Sequence, residues 1–303
     1  MPSSRPSHSF GVRHGKKIHH GYNAERKVLH RKTKEKRREG YHAFAKDYPK
    51  SHHPLPASFV NTIICGDSLQ ILRQLPDQCV DIIITSPPYN FGLDYGLHQD
   101  TSPWHAYYDQ LFAILQECIR VLVHGGRLII NVQPLFSDYI PSHHVISHFL
   151  WQQGLIWKGE ILWEKNNYNC KYTAWGSWKS PASPYLKYTW EFIEVFCKGT
   201  LKKEGSRDAI DITADEFKTW VNARWSIAPE RDMQTYGHPA MFPKKLVERL
   251  IKLFSYCHDI VMDPFNGAGT TTLVAHEHQR RYLGIDVDDA YCQTARERIR
   301  MST

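Results

Sequence analysis

The segment Val261-Met262-Asp263-Pro264-Phe265-Asn266-Gly267-Ala268-Gly269-Thr270-Thr271-Thr272 constrains this chain most. An apolar run enters a turn carrying two glycines and leaves it into a helix-forming stretch. Glycines in such a turn let backbone approach a ligand closely, and the following helix N-terminus presents unpaired N–H groups. The next apolar run, at 282–286, closes on Asp286, where a carboxylate can accept both hydroxyls of a ribose. Two glycines alone also fit a turn shaped only for packing. The order strand, Gly-x-Gly turn, helix, strand and terminal acid points instead to a nucleotide-type site. The turn has neither the lysine of a P-loop nor a third glycine, which favours a small adenosine-containing ligand over a triphosphate or a dinucleotide.

A second segment, Thr85-Ser86-Pro87-Pro88-Tyr89-Asn90, follows the buried apolar run at 80–85. Consecutive prolines continue neither a sheet ladder nor a helix, so the chain leaves the strand as a stiff extended loop. In an open α/β sheet that loop sits at the carboxyl edge, where ligands bind. A proline turn with an ordinary aromatic is the plain alternative for these residues taken alone.

Between and around these segments, apolar runs alternate with helical patterns. Strands are expected at 61–65, 80–85, 127–132, 160–164, 192–197, 260–263 and 282–286. Helices are expected at 68–75 with Ser68 as cap, 104–122 ended by Gly125-Gly126, 145–153, 243–256, 270–278 and 290–300. This alternation predicts a doubly wound α/β fold with a mostly parallel sheet. Between about 199 and 236 the pattern weakens into polar sequence with Asp208, Asp211, Asp215 and Asp232, which reads as an insertion.

The charge is unevenly placed. Of 38 Lys and Arg and 31 Asp and Glu in the chain, residues 1–50 hold fourteen and four. The formal charge of +7 therefore belongs to a basic arm over 1–54, not to the folded part. The run from His30 to Arg38 fits a flexible or partly helical arm that is a solvated tail, a phosphate-backbone contact or a nuclear import signal. Seven scattered cysteines without a CxxC pair argue for free thiols, with Cys292 in a helical core. No apolar run reaches the roughly 18 residues that span a bilayer. His143, His144, His276 and His278 lack metal-ligand spacing and read as surface or cap residues, so no metal site is expected.

Taken together, these motifs resemble the DNA amino-methyltransferases that use S-adenosylmethionine, in their circularly permuted beta group, whose catalytic segment precedes the cofactor loop. The resemblance implies a Rossmann-like methyltransferase fold divided into a catalytic half (55–198), a target-recognition insertion (199–236) and a cofactor-binding half (237–303). Asp263, Phe265, Gly267, Gly269 and Thr270 would form the cofactor turn, and Asp286 would hold the ribose. Asp67, at the end of the first strand, would lie by the adenine. Phe242, in His238-Pro239-Ala240-Met241-Phe242-Pro243, would close over the cofactor. Ser86 and the Pro87 carbonyl would accept the N–H bonds of a target amino group, with Pro88 stiffening the loop and Tyr89 stacking on a flipped-out base. Ser in the first position of this tetrapeptide points to cytosine N4, and adenine N6 is the alternative. A non-catalytic nucleic-acid-binding relative is a third reading.

The stretch Lys171-Tyr172-Thr173-Ala174-Trp175-Gly176-Ser177-Trp178-Lys179-Ser180-Pro181 interleaves aromatics and lysines, resembling the family's TWGSxxSP segment. Trp175, Ser177 and Lys179 would touch DNA, with Arg31, Lys32, Arg37 and Arg38 of the arm adding phosphate contacts. A surface loop whose tryptophans pack on the core is the alternative. Removing residues 1–50 is then expected to weaken DNA binding and flatten its salt dependence. Double-stranded DNA is the implied partner, with a homodimer and a cognate restriction endonuclease left open. The implied location is the cytoplasm or nucleoid of a bacterium, or the nucleus of a eukaryote.

Overall fold

The computed structural model describes residues 12–13, 16–17, 45–90, 94–95, 98–99, 102–134, 139–166, 176–231, 233, 236 and 241–302. Residues 1–43 and 44–303 form two units. In the first, Val12–Arg13 and Lys16–Lys17 make a minimal antiparallel pair. The second is the body. In chain order it contains β1 (Thr62–Cys65), α1 (Ser68–Leu72), β2 (Val80–Thr85), α2 (Trp104–Val121), β3 (Leu122–Val132), α3 (Ser142–Gln152), β4 (Ile156–Glu164) and β5 (Trp190–Cys197). There follow α4 (Ala214–Trp220), β6 (Arg224–Ser226), α5 (Lys244–Phe254), β7 (Ile260–Asp263), α6 (Thr270–Glu277), β8 (Arg281–Asp286) and α7 (Asp289–Met301).

These eight strands form one sheet in the order β6-β4-β5-β3-β2-β7-β8-β1, and Asp94–Tyr95 pairs separately with His98–Gln99. Only β5 runs against the rest, antiparallel to both β3 and β4. The fold is thus the expected mixed α/β fold with a mostly parallel sheet. Its first and last strands are neighbours, with Ile64 opposite Ile285 and Cys65 opposite Asp286. One sheet edge is therefore assembled from both ends of the body.

Strands covered on both faces must be apolar on both, and β2 shows how. Ile83 enters a core with Leu72, Leu115 and Ile146 of α1, α2 and α3. Ile82 and Ile84 enter the opposite core with Leu246, Leu250 and Ala295 of α5 and α7. Every one of these side chains is buried.

Three local expectations change. Asp67, not Ser68, caps α1, its carboxylate accepting from the Gln70 N–H at 2.8 Å. Buried Ser68 instead donates to the Pro264 carbonyl at 2.5 Å. The pair Gly125-Gly126 does not stop α2. That helix ends at Val121, and β3 runs on through the glycines. Gly125 is at φ 80°, and a Cβ on Gly126 would lie 2.8 Å from Leu122 and 2.9 Å from the Asp81 carbonyl, so both serve an irregular crossing of β3 past β2. His143, in the first turn of α3, is half-buried rather than fully at the surface: it stacks on Phe192 with ring centroids 4.5 Å apart, and burial lowers its pKa to about 4.

The polar stretch after 199 joins the same sheet, its β6 pairing in parallel with β4 as an edge strand. Asp211 in this stretch does not face solvent as a free acid, because buried Arg280 grips it through both guanidinium NH groups, one of them at 2.8 Å. Residues just after 44 also lie on the body: the Tyr48 hydroxyl donates to the Gln153 carbonyl at 2.7 Å, and Leu55 is buried in the core. Among the described residues no helix is long and apolar enough to cross a membrane, and no cluster of His, Cys, Asp and Glu could hold a metal ion. Every described cysteine is free, and Cys292 is buried in α7.

Candidate active site

The carboxyl ends of β1, β2, β7 and β8 open onto one cavity of about 370 Å³. That volume suits a small organic ligand. One wall is the glycine turn. Gly267 and Gly269 have φ values of 49° and 79°, and a Cβ on Gly269 would lie 2.5 Å from that of Ala295. Any side chain there would drive α6 off α7. Thr270 opens α6 directly after this turn, so the helix N-terminus faces the cavity.

Two carboxylates hold the turn. Asp263 is buried, and its Oδ1 accepts from the Thr85 hydroxyl at 2.6 Å and the Phe265 N–H at 3.0 Å. Burial raises its pKa to about 6, against the lowering effect of those donors. Asp286 accepts from the Gly267 N–H at 2.6 Å and the Asp288 N–H at 3.0 Å, one on each oxygen. Each oxygen keeps a lone pair for a hydroxyl, so ribose recognition remains open to it. Burial also raises the Asp286 pKa. The Asn266 Nδ2 is buried with no partner among the described residues, an orphan donor beside the turn. A ligand rich in hydroxyl and nitrogen acceptors fits this wall.

The loop after β2 adds a second stretch of the lining. Ser86, Pro87, Pro88 and Tyr89 all line the cavity, as do Asp67, Phe242 and Phe265. The Pro88 carbonyl accepts from the Tyr107 hydroxyl at 2.7 Å, and the Asn90 side chain clasps the Ser102 backbone through two bonds of 2.8 Å. Tyr89 is buried with its hydroxyl turned inward: Ser86 Oγ donates to it at 3.0 Å, and it donates to Glu191 at 3.2 Å. Asn131 Nδ2 reaches both Tyr89 and Glu191, while Lys165 pairs with the other Glu191 oxygen. Sequence reasoning did not single out Asn131, Lys165 and Glu191 as site residues. The one local signal was a carboxylate, Glu191, inside the apolar run Trp190-Glu191-Phe192-Ile193.

The structure thus brings together Asp67, Ser86, Pro87, Pro88, Tyr89, Phe242, Asp263, Phe265, Gly267, Gly269, Thr270 and Asp286 around one cavity. Arg31, Lys32, Arg37, Arg38, Trp175 and residues 238–240 lie outside the described residues. Ser177 is spent on its own loop, its hydroxyl donating to the Ser180 carbonyl at 2.8 Å and accepting the Ser183 N–H at 2.7 Å. That closed loop presents Trp178, 63% exposed, with the Lys179 ammonium 5.5 Å from its ring centre.

The sheet order, the glycine turn and the rigid Ser-Pro-Pro-Tyr loop together define a methyltransferase-type α/β fold. The model of the N6/N4 DNA methylase family matches residues 80–297, and the chain belongs to that family. It is 36% identical over 172 residues to the Type II methyltransferase M.MjaVI of Methanocaldococcus jannaschii, which covers 56% of this chain and 86% of that protein. It is 28% identical over 260 residues to the DNA adenine methyltransferase YhdJ of Escherichia coli, covering 80% of this chain and 85% of the relative. Among solved structures it is similar to the DNA modification methylase TTHA0409 of Thermus thermophilus complexed with S-adenosyl-L-methionine. The TM-score there is 0.64 at 27% identity, over 80% of this chain and 96% of that one.

Proposed function

We propose that the chain methylates the N4 amino group of a cytosine flipped out of DNA, within the permuted beta group. The observation that carries this reading is that Ser86 and Asp286 line the same cavity. S-adenosylmethionine, when bound, supplies a methyl group on a sulfonium centre, and a solved relative of the same fold carries that cofactor. Asp286 would take the ribose, Asp67 would lie by the adenine, and Phe265, Gly267 and Gly269 would border the methionine part, with Phe242 over it. The exocyclic amino group is a weak nucleophile because its lone pair is delocalised into the ring. Ser86 Oγ and the Pro87 carbonyl would draw on its N–H bonds and aim the lone pair at the methyl, so that catalysis is largely alignment. The Tyr89 ring would carry the base on its face, its hydroxyl anchored behind. On the DNA side, Lys179 and the exposed loop at 176–184 would touch the duplex.

Adenine N6 is the second reading, favoured by the similarity to the adenine methyltransferase YhdJ and by the fact that Ser and Asp both accept from an amino group. Nucleoside mass spectrometry of amplified, unmethylated DNA treated with the enzyme and S-adenosylmethionine separates the two. N4-methylcytosine is the expected product, and N6-methyladenine alone would overturn the cytosine assignment. Ser86→Ala is expected to lower the methylation rate by about 100-fold or more with the cofactor Kd nearly unchanged. Full activity in that variant would remove Ser86 from the site.

A further inference from the structure

Behind the Ser86 loop, Asn131 of β3 and Glu191 of β5 converge on the Tyr89 phenol, and Lys165, just past β4, pairs with Glu191. Glu191 is 4% exposed, so its charge sits inside the protein. The hydrogen-bond chemistry of this cluster admits one direction. A carboxylate only accepts. One Glu191 oxygen is paired with the Lys165 ammonium, and the other accepts from Asn131 Nδ2 and from the Tyr89 hydroxyl, the latter at 3.2 Å. With its proton directed to Glu191, the Tyr89 oxygen is an acceptor toward Asn131 Nδ2 and Ser86 Oγ, both at 3.0 Å. The Asn131 amide cannot be turned over without facing its NH2 away from both acceptors. Its Oδ1 has no partner among the described residues. The Ser86 proton is therefore drawn inward, to Tyr89 or to the Asn131 carbonyl 3.3 Å away. The lone pairs of Ser86 Oγ are left for the cavity.

We propose that Glu191, held by Lys165, is a positioning residue that fixes the Ser86 hydroxyl as a hydrogen-bond acceptor, acting through the Tyr89 hydroxyl. This rests on the reading of the cavity as a site for an exocyclic amino group. A serine hydroxyl rotates freely and can equally donate its proton to the amino nitrogen, tying up the lone pair that must attack. A buried negative charge two hydrogen bonds away removes that choice, and each link polarises the next in a low-dielectric interior. The chain Lys165–Glu191–Tyr89–Ser86 gives a neutral side chain the acceptor character that a carboxylate in the Ser86 position would have by itself. Tyr89 then has two uses, its ring toward the cavity and its hydroxyl in the chain.

The test is single-turnover methyl transfer from tritium-labelled S-adenosylmethionine to amplified, unmethylated DNA, with cofactor affinity measured by calorimetry on the same proteins. Glu191→Gln and Tyr89→Phe should each slow transfer by about tenfold or more while cofactor Kd stays within about twofold. Because both act through one chain, the double variant should be no slower than the slower single one. Should Glu191→Gln leave Lys165 unpaired and the protein unstable, Lys165→Met/Glu191→Gln removes both charges and should show the same slow transfer. Wild-type rates in these variants, rates that multiply in the double variant, or cofactor affinity falling in parallel with rate would each overturn the inference. If the wild type transfers no methyl, the proposed function falls and the inference with it. If the wild type is active and Ser86→Ala is not, yet Glu191→Gln matches the wild type, only the inference falls.

Discussion

Asp263 shows how one residue serves two masters. It is buried against the strand end that carries Ser86, and it accepts from Thr85 and from the Phe265 N–H. The same carboxylate thus couples the loop after β2 to the glycine turn. Holding a charge there has a cost, seen in a pKa raised by burial from 3.8 to about 6. Between those two values the folded state keeps a proton that the unfolded chain has lost. Stability therefore falls as pH rises through this window, by on the order of 2–3 kcal/mol, and stays at the lower level above it. Asp263→Asn keeps an acceptor for both donors without the charge. Its melting temperature relative to the wild type should improve on going from pH 5 to pH 8. An equal difference at the two pH values would show that the carboxylate is not strained by burial.

Among the elements, β5 has the most demanding position, reversed between two strands and carrying acids on an inner stretch. Glu194 of β5 stands opposite Glu160 of β4, with its carboxylate taking the Trp157 indole N–H at 2.8 Å. Burial first, then the Glu160 charge, raise the Glu194 pKa to about 7. Here too the folded form favours the proton, so this strand pair loses stability as pH rises from about 4.5 to about 7. Glu160→Gln removes the like charge, and in urea at pH 8 it should stabilise the protein by roughly 0.5–1 kcal/mol, with little effect at pH 5. A loss of stability at pH 8 would mean that Glu160 is held by favourable contacts instead. The same strand marks the boundary of what sequence could reveal. The central parallel strands are legible because burial on both faces demands continuous apolar runs, as in Val80–Thr85 and Ile260–Asp263. The short edge strand Arg224–Ser226 is not, because only Trp225 of its three residues is buried. The placing of Ser86, Gly267 and Asp286 at one cavity was legible because local backbone chemistry (prolines, glycines, a strand-terminal acid) puts them at strand ends. Asn131, Lys165 and Glu191 meet only through sheet pairing between distant segments, and no spacing along the chain encodes that.

At the scale of the whole molecule, the arrangement of charge decides how DNA is approached. The body bears a small excess of acid once the basic arm is set aside, and several of its cations are already engaged: Arg280 with Asp211, Lys203 with Asp81 and Asp259, Lys252 with Glu216. Acids of the 199–236 stretch are thereby partly neutralised within the fold, which frees that face from repelling phosphate but adds no attraction. Residues 1–43 are where unassigned positive charge is concentrated. The boundary also matters for how this is tested. A cut at 50 would remove Tyr48, whose hydroxyl binds Gln153 and whose ring lies 5.1 Å from the buried Lys198 ammonium. Deleting residues 1–43 avoids that damage. The shortened protein should keep its melting temperature and its single-turnover rate at saturating DNA. Its DNA affinity should drop, with the slope of log K against log salt shallower by about 0.9 for each phosphate the arm had neutralised. Since non-specific phosphate contact is blind to sequence, the loss should be equal for DNA with and without a methylatable site. An unchanged slope would mean that the body alone gathers the phosphates. A loss confined to methylatable DNA would mean that the arm reads bases, and the 176–184 loop would then have to supply the general grip.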